Sequence, residues 1–128
     1  MDNSAVYYRI SKLYDSFVTS TGTKSRYFFM LDIDSDVARW SAEAVKDFAL
    51  PGEYVHHQSQ VFRELLAPED ADSFAADISA MTARRLEKKD AMWRLHDRNG
   101  EYLSCSVKYF AVKDYAGTPA YIAAVITS

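Results

Sequence analysis

Cysteine occurs once in the 128 residues, at Cys105. A single cysteine excludes a disulfide framework and a cysteine-based zinc site. Glycine occurs four times and proline three times, and no glycine-rich loop that could cradle phosphates is present. A basic surplus is also missing. Lys and Arg number 15 against 18 Asp and Glu, for a net charge of -3. No positive stripe is left for a phosphate backbone, so no nucleic-acid partner is expected. No run approaches the roughly 20 apolar residues of a membrane span. The opening MDNSAVYYRISK has no apolar signal-peptide core. These absences predict a cytoplasmic chain, consistent with a reducing compartment. The length suits one domain rather than two.

Aromatic residues, by contrast, are plentiful: nine Tyr, seven Phe and two Trp. That much ring surface predicts a bulky core or a partly apolar interface. Along Ser4–Ser20, Val6, Ile10, Leu13 and Phe17 recur at steps of four, three and four, with Tyr7, Tyr14 and Val18 beside them. This is one stripe of an amphipathic helix. Ser4 is its expected N-cap and Gly22 its breaker, within a polar linker over 19–23.

Arg26–Asp34 and Val37–Ser41 are predicted strands joined by the turn Asp34-Ser35-Asp36. Ala42–Leu50 is a predicted short helix, broken by Pro51-Gly52. A loop with His56-His57 follows, then a short helix over Ser59–Leu66. Pro68-Glu69-Asp70 opens a longer helix, since proline suits a first helical position and acids suit the positive end of the helix dipole. Phe74, Ile78 and Met81 carry this helix to about Leu86, and Arg84, Arg85, Lys88 and Lys89 form its expected basic end. Three strands complete the chain: Asp90–Arg98, Glu101–Lys113 and Thr118–Thr127. Asn99-Gly100 and Asp114-Tyr115-Ala116-Gly117 are the turns between them.

Strands, then helices, then strands predict an α+β fold with an antiparallel sheet. Tyr27–Leu31 and Tyr121–Ile126 are apolar on both faces. Such strands belong at the centre of a sheet covered on both sides. The middle helices cover one side, and the amphipathic N-terminal helix or a second subunit is expected on the other.

Several local sequences, in this order, resemble the PAS domain in its PAS-3-like branch. Trp40-Ser41 is similar to a "W-S" pair in the second strand. Phe48-Ala49-Leu50-Pro51-Gly52-Glu53 resembles the "G-Y/F-x-x-x-E" region. Leu66-Ala67-Pro68-Glu69-Asp70 resembles "h-P-E/D-D". Trp93 to Tyr102 resembles the "Y-R-h-x-x-x-D-G-x-Y" hairpin, and Asp114 to Pro119 the "D-x-x-G-x-P" turn. The resemblance spans roughly 100 residues. It implies a PAS-like five-stranded antiparallel sheet with helices on one face, a pocket between them, and the N-terminal amphipathic helix outside. Residues 1–23 are then helix and linker, and 24–128 the sensory domain. It further implies an input module in two-component or cyclic-di-GMP signalling, with an output domain such as a diguanylate cyclase or histidine kinase as partner in a full-length protein. Three departures stand out. The usual closing "D-I-T" is Val125-Ile126-Thr127 here, so the coupling Asp is missing. The hairpin carries Ser104 where Trp is common. The flavin motif "N-C-R-F-L-Q" is absent, and the long helix has no histidine for haem, so no cofactor is expected.

The candidate pocket lining is Phe29, Leu31, Trp40, Phe48, Phe62, Leu65, Phe74, Ile78, Trp93, Leu95, Val107 and Tyr109. These residues either fill the core with their own side chains or line a cavity for a small ligand. Val6, Ile10, Leu13 and Phe17, with Phe28, Met30 and Tyr121 on the outer sheet face by parity, are the candidate interface of a homodimer. Adjacent His56 and His57 lack a third ligand, so no metal site is expected. Arg94 and His96 on one strand face could hold an anion, or pair with Asp or Glu. Asp32, Asp34 and Asp36 lack the later Gly and Glu of a calcium loop and are expected to form a charged turn. Cys105, within a strand and far from any helix start, is expected to be inert. No catalytic set appears. The rival readings are a pure interaction domain with a filled core and a small enzyme on a cone-shaped α+β fold.

Overall fold

The computed structural model describes residues 4–21 and 27–128. Among these, the elements run α1 (Ser4–Thr21), β1 (Tyr27–Asp32), β2 (Val37–Trp40), α2 (Ala42–Asp47), β3 (Tyr54–His56), α3 (Gln58–Leu65), α4 (Pro68–Thr82), β4 (Lys88–His96), β5 (Tyr102–Lys113) and β6 (Pro119–Thr127). The strands form one antiparallel sheet in the order β3-β2-β1-β6-β5-β4. The two strands apolar on both faces, β1 and β6, lie side by side at its centre, with Phe29 opposite Ala124 and Met30 opposite Ala123.

Strand parity divides the core in two. Tyr27, Phe29 and Leu31 of β1, with Ile122, Ala124 and Ile126 of β6, face α2, α3 and α4. Phe28 and Met30, with Tyr121 and Ala123, face the other way, where Ile10, Tyr14 and Phe17 of α1 cover them. A one-residue slip would exchange the two sets, so the pairing register is fixed by both layers at once.

Two hairpins share one construction. Asp97 Oδ1 accepts the amides of Asn99 and Glu101, and Asp114 Oδ1 accepts those of Ala116 and Thr118. Each aspartate is followed three residues later by a glycine in the left-handed region, Gly100 at φ 80° and Gly117 at φ 79°. A Cβ there would be strained. The acids of the β1–β2 turn likewise serve backbone donors. Asp32 Oδ1 accepts the amides of Asp34 and Ser35, while Asp36 accepts both the amide and the hydroxyl of Ser59 at the start of α3.

Several expectations are corrected. The sheet has six described strands rather than five, because Tyr54–His56 pairs with β2 and is not a loop. Three residues are too few to display an alternation. The long helix stops at Thr82, not near Leu86. Arg84 takes φ 63°, its amide bonds the Met81 carbonyl, and the Arg85 amide reaches the Ala80 carbonyl. That is a Schellman ending with arginine in the place glycine usually holds, so the sequence shows no stop. Arg84 and Arg85 therefore lie past the helix, and Lys88 and Lys89 belong to β4. In α2 the same device ends the helix at Asp47, with Ala49 at φ 52° and the Leu50 amide on the Val45 carbonyl. Finally, Ser4 is already helical and α1 continues to Thr21, so residues 19–21, expected in the linker, belong to the helix. Gly22 lies outside the described residues.

Candidate functional site

The space between helices and sheet, where a PAS-like pocket is expected, is occupied by rings. Phe29 projects from β1 into the centre. Its ring centroid lies 4.7 Å from Trp40 of β2, 5.3 Å from Phe62 of α3 and 6.2 Å from Phe74 of α4. Trp93 of β4 lies nearly parallel to it at 6.4 Å, with 12° between planes. Phe74 then bridges to Trp93 at 4.8 Å and to Tyr109 of β5 at 5.0 Å. These are contact distances for aromatic pairs, mostly tilted or edge-to-face as ring quadrupoles prefer. Leu31, Phe48, Leu65, Leu95 and Val107 are buried in the same cluster, and Ile78 packs half-buried against it. The structure thus gathers every candidate lining residue into one aromatic interior.

Two polar residues of this interior have no counterpart in the sequence expectation. Gln58 is fully buried and its Oε1 accepts the Trp40 indole N–H at 2.8 Å. Its Nε2 has no hydrogen-bond partner among the described residues. Asp77 of α4 accepts the Tyr109 hydroxyl and the Lys89 ammonium, the latter at 3.0 Å to Oδ1 and 2.9 Å to Oδ2. Burial, reinforced by the hydrogen bond to Asp77, pushes the Tyr109 phenol well above its ordinary value. Asp77 carried a signal in its spacing: it stands three residues after Phe74 and four before Met81, on the inward stripe of α4. Gln58, at a helix start after a short strand, carried none.

Cys105 is buried, and burial pushes its thiol up to about 11, so no thiolate is present near neutral pH. Arg94 is bound by Glu69 at 2.8 Å and Asp70 at 3.3 Å, and these hydrogen bonds hold its pKa up. Of the two alternatives for Arg94, pairing with the chain's own Asp and Glu is the one observed. His96 bonds the Glu64 carbonyl through Nδ1 and stacks on Tyr102. Among the described residues, no three His, Cys, Asp or Glu side chains converge on one point.

The outer face forms the second candidate region. Ile10, Phe17, Phe28, Met30 and Tyr121 are buried there together, with Val6 and Leu13 half-buried beside them, all within one chain. Phe17 meets Phe28 and Phe110 edge-on, at 6.4 and 5.5 Å. Toward β2 and β3 the seam becomes polar. The Arg39 guanidinium lies 4.3 Å from the Tyr14 ring centroid and 5.7 Å from that of Tyr54, and 3.5 Å from Asp15. Tyr7 shares a hydrogen bond with His56, and Ser11 one with Tyr54. On the other side α1 leaves β5 partly open: Phe110 and Val112 are only half-buried. No described helix is long and apolar enough to cross a membrane.

The fold is a six-stranded antiparallel sheet with α2, α3 and α4 on one face and α1 on the other. It is similar to that of a sensory-box histidine kinase/response regulator from Burkholderia thailandensis (18% identity, TM-score 0.62, 89% of this chain and 82% of that one). A Haloarcula marismortui histidine kinase domain, described as light and redox sensing, is similar (13% identity, TM-score 0.63, 89% and 97%). So is the LOV domain of the blue-light photoreceptor Aureochrome1 (11% identity, TM-score 0.60, 87% and 87%). The chain has the PAS fold. Neither a family profile nor a curated protein sequence matches it.

Proposed function

We propose that this chain is a non-enzymatic, cytoplasmic input module of a signalling protein, which works through protein contacts rather than a resident cofactor. In this reading residues 24–128 are its sensory body and residues 1–23 its N-terminal helix and linker. In a full-length protein it would regulate an output domain such as a histidine kinase or a diguanylate cyclase. The observation that carries this reading is the interior of a PAS fold filled by six contacting rings, Phe29, Trp40, Phe62, Phe74, Trp93 and Tyr109. An interior packed to this extent has little room for a guest.

The proposed output route is a homodimer built around the outer face. Its candidate residues Val6, Ile10, Leu13, Phe17, Phe28, Met30 and Tyr121 pack within one chain, so they meet a partner only if α1 exchanges between two copies. Its outer rim is the partly open strip of Phe110 and Val112, with Met92 65% and Tyr102 50% exposed farther out. Pairing two such strips buries apolar area at about 25 cal/mol per Å², and a twofold arrangement is the commonest closed solution. Sedimentation of the chain at tens of micromolar, with native mass spectrometry of the same sample, tests both halves. A dimer with the bare polypeptide mass is expected. A monomer at that concentration sinks the dimer, and a retained small molecule sinks the filled-interior reading.

One observation favours a ligand-sensing alternative. The buried Gln58 Nε2, which has no partner among the described residues, is a donor suited to a carbonyl of a small guest admitted when the rings part. Native mass spectrometry separates this reading from the first.

A further inference from the structure

β4 closes one side of the sheet, and its outer edge is covered only at one end. At Arg94 the backbone bonds away from β5. Its N–H reaches Asp70 Oδ2 at 2.8 Å, and its carbonyl accepts the Ala67 amide at 2.9 Å. Leu95 adds a bridge to Leu66. In an antiparallel pair, residues bonded to the neighbouring strand alternate with residues whose backbone groups face outward. The β4–β5 register runs unbroken from Lys88 to His96, so Met92, Asp90 and Lys88 turn the same way as Arg94. The Ala111 amide on the Glu87 carbonyl gives the same parity from the other end. No hydrogen bond takes up the outward N–H or C=O of Lys88, Asp90 or Met92 among the described residues. All three residues are exposed, Met92 at 65%.

The charges beside this open stretch are not balanced. Residues 84–88, which lead from α4 into β4, carry Arg84, Arg85 and Lys88 against the single acid Glu87. All four are exposed, and none has an ion-pair partner among the described residues. The Arg84 Nη1 bonds the Gly117 carbonyl at 3.0 Å, which holds that positive charge at this corner. Glu87 has the opposite strand parity to Lys88, so the two side chains leave the edge on different faces. Lys89 is spent on Asp77 at 2.9 Å. Asp90 stands opposite Lys108 in the ladder, where the two charges offset each other. The start of β4 is therefore a free edge at a basic corner.

We propose that the open stretch of β4 is a docking edge for an extended acidic segment of a protein partner, which adds a further strand to the sheet. The outward groups of Lys88, Asp90 and Met92 supply the backbone hydrogen bonds of this strand addition. Carboxylates of the incoming strand fall beside Lys88 and Arg85, and an apolar residue falls beside Met92. The same charges disfavour the competing occupant, a second copy of this chain. In a twofold antiparallel pairing centred on the open stretch, Asp90 would stand opposite the same aspartate of the other copy, and like charges directly opposite destabilise a ladder. The edge is thus guarded against its own kind and open to a strand of complementary charge. This docking does not depend on α1.

The probe is the capped peptide acetyl-Thr-Val-Thr-Val-Glu-Asp-Glu-amide, titrated into the full chain and followed by amide chemical shifts and hydrogen exchange. Run antiparallel to β4, it sets its acids at the Lys88 end and its valines at the Met92 end. Saturable shifts centred on residues 84–92 are expected, with exchange at the Lys88, Asp90 and Met92 amides slowed about tenfold or more. A counterpart with lysine in place of each acid should bind about tenfold or more weaker, and so should the acidic peptide to the Arg85→Glu/Lys88→Glu protein. Both side chains are exposed, so the variant should keep the parent spectrum without peptide. Equal binding of the basic peptide, or undiminished binding by the variant, overturns the proposal. So do unchanged exchange at the three amides, shifts centred elsewhere, or no saturable shift at all. Exchange at those amides that is already slow in the peptide-free chain would mean an occupied edge and overturns it too. A chain that proves monomeric leaves this test unchanged, so the homodimer and the docking edge fail separately.

Discussion

Trp93 makes visible how a single side chain participates in the interior. It is 2% exposed, and its ring contacts Phe29, Phe62, Phe74 and Tyr109 from four different elements. Removing it leaves a cavity that four rigid rings cannot close. Trp93→Ala should lower stability by about 3–5 kcal/mol, measured by chemical denaturation; an unchanged midpoint would mean the ring does not anchor the core. Cys105 makes a different test, one of pH. Burial raises its thiol from 9.0 to about 11. A raised value in the folded state means that the folded chain keeps its proton after the unfolded chain has lost it. Its contribution is therefore complete below pH 9.0 and is lost as the pH climbs toward about 11. The stability difference between the parent and Cys105→Ala should accordingly shift against the parent across that window. A difference that stays flat would place the thiol in solvent.

At the scale of elements, the two helix endings lacking glycine are the informative features. Ala49 is exposed and sits at φ 52°, immediately after α2. A residue with a Cβ costs about 1–2 kcal/mol in that region, while glycine costs about 0.5–1 kcal/mol in unfolded-chain entropy. The difference predicts that Ala49→Gly stabilises the domain by up to about 1 kcal/mol. Equilibrium unfolding in urea reads this directly, and a destabilised variant would refute the left-handed ending. The endings also have a positional consequence. By stopping at Asp47 and Thr82, α2 and α4 release the chain in time for β3 and β4 to reach the sheet edges. β4 is then fastened to α4 by Asp70, which accepts the Arg94 amide at 2.8 Å, and by the Ala67 amide on the Arg94 carbonyl. These contacts cover part of an edge strand that would otherwise offer free backbone groups.

For the molecule as a whole, two apolar layers share one sheet, and each has a different task. The inner layer is closed by aromatic packing. Purified protein should therefore show no absorption band beyond that of its own Trp and Tyr; a visible band travelling with the protein through gel filtration would contradict a filled interior. The outer layer is covered by α1, whose seam is apolar over β1 and β6 and polar over β2 and β3. A helix held by one apolar stripe and a few polar contacts is a natural unit of local opening.

Much of this organisation was legible from local pattern alone. Strand parity assigns Phe29 and Phe28 to opposite faces, and the two-sided apolar strands mark the sheet centre, because alternation with period two is a property of the backbone. The paired Asp-x-x-Gly turns are equally local, since both the acceptor and the left-handed glycine are written in five residues. The sequence also grouped the residues of the aromatic interior and of the outer stripe. What it left open depends on contacts far apart in the chain. β3 exists because β2 offers it an edge, and not because three residues favour a strand. The inward Gln58 and Asp77 have meaning only beside Trp40 and Tyr109, 18 and 32 residues away. Whether rings fill a pocket or merely line it is a question of distances between six elements. A cleft lined by both α1 and the β5–β6 hairpin arises only when the one lies down beside the other. Periodicity fixes which way a side chain points; packing alone decides what it meets there.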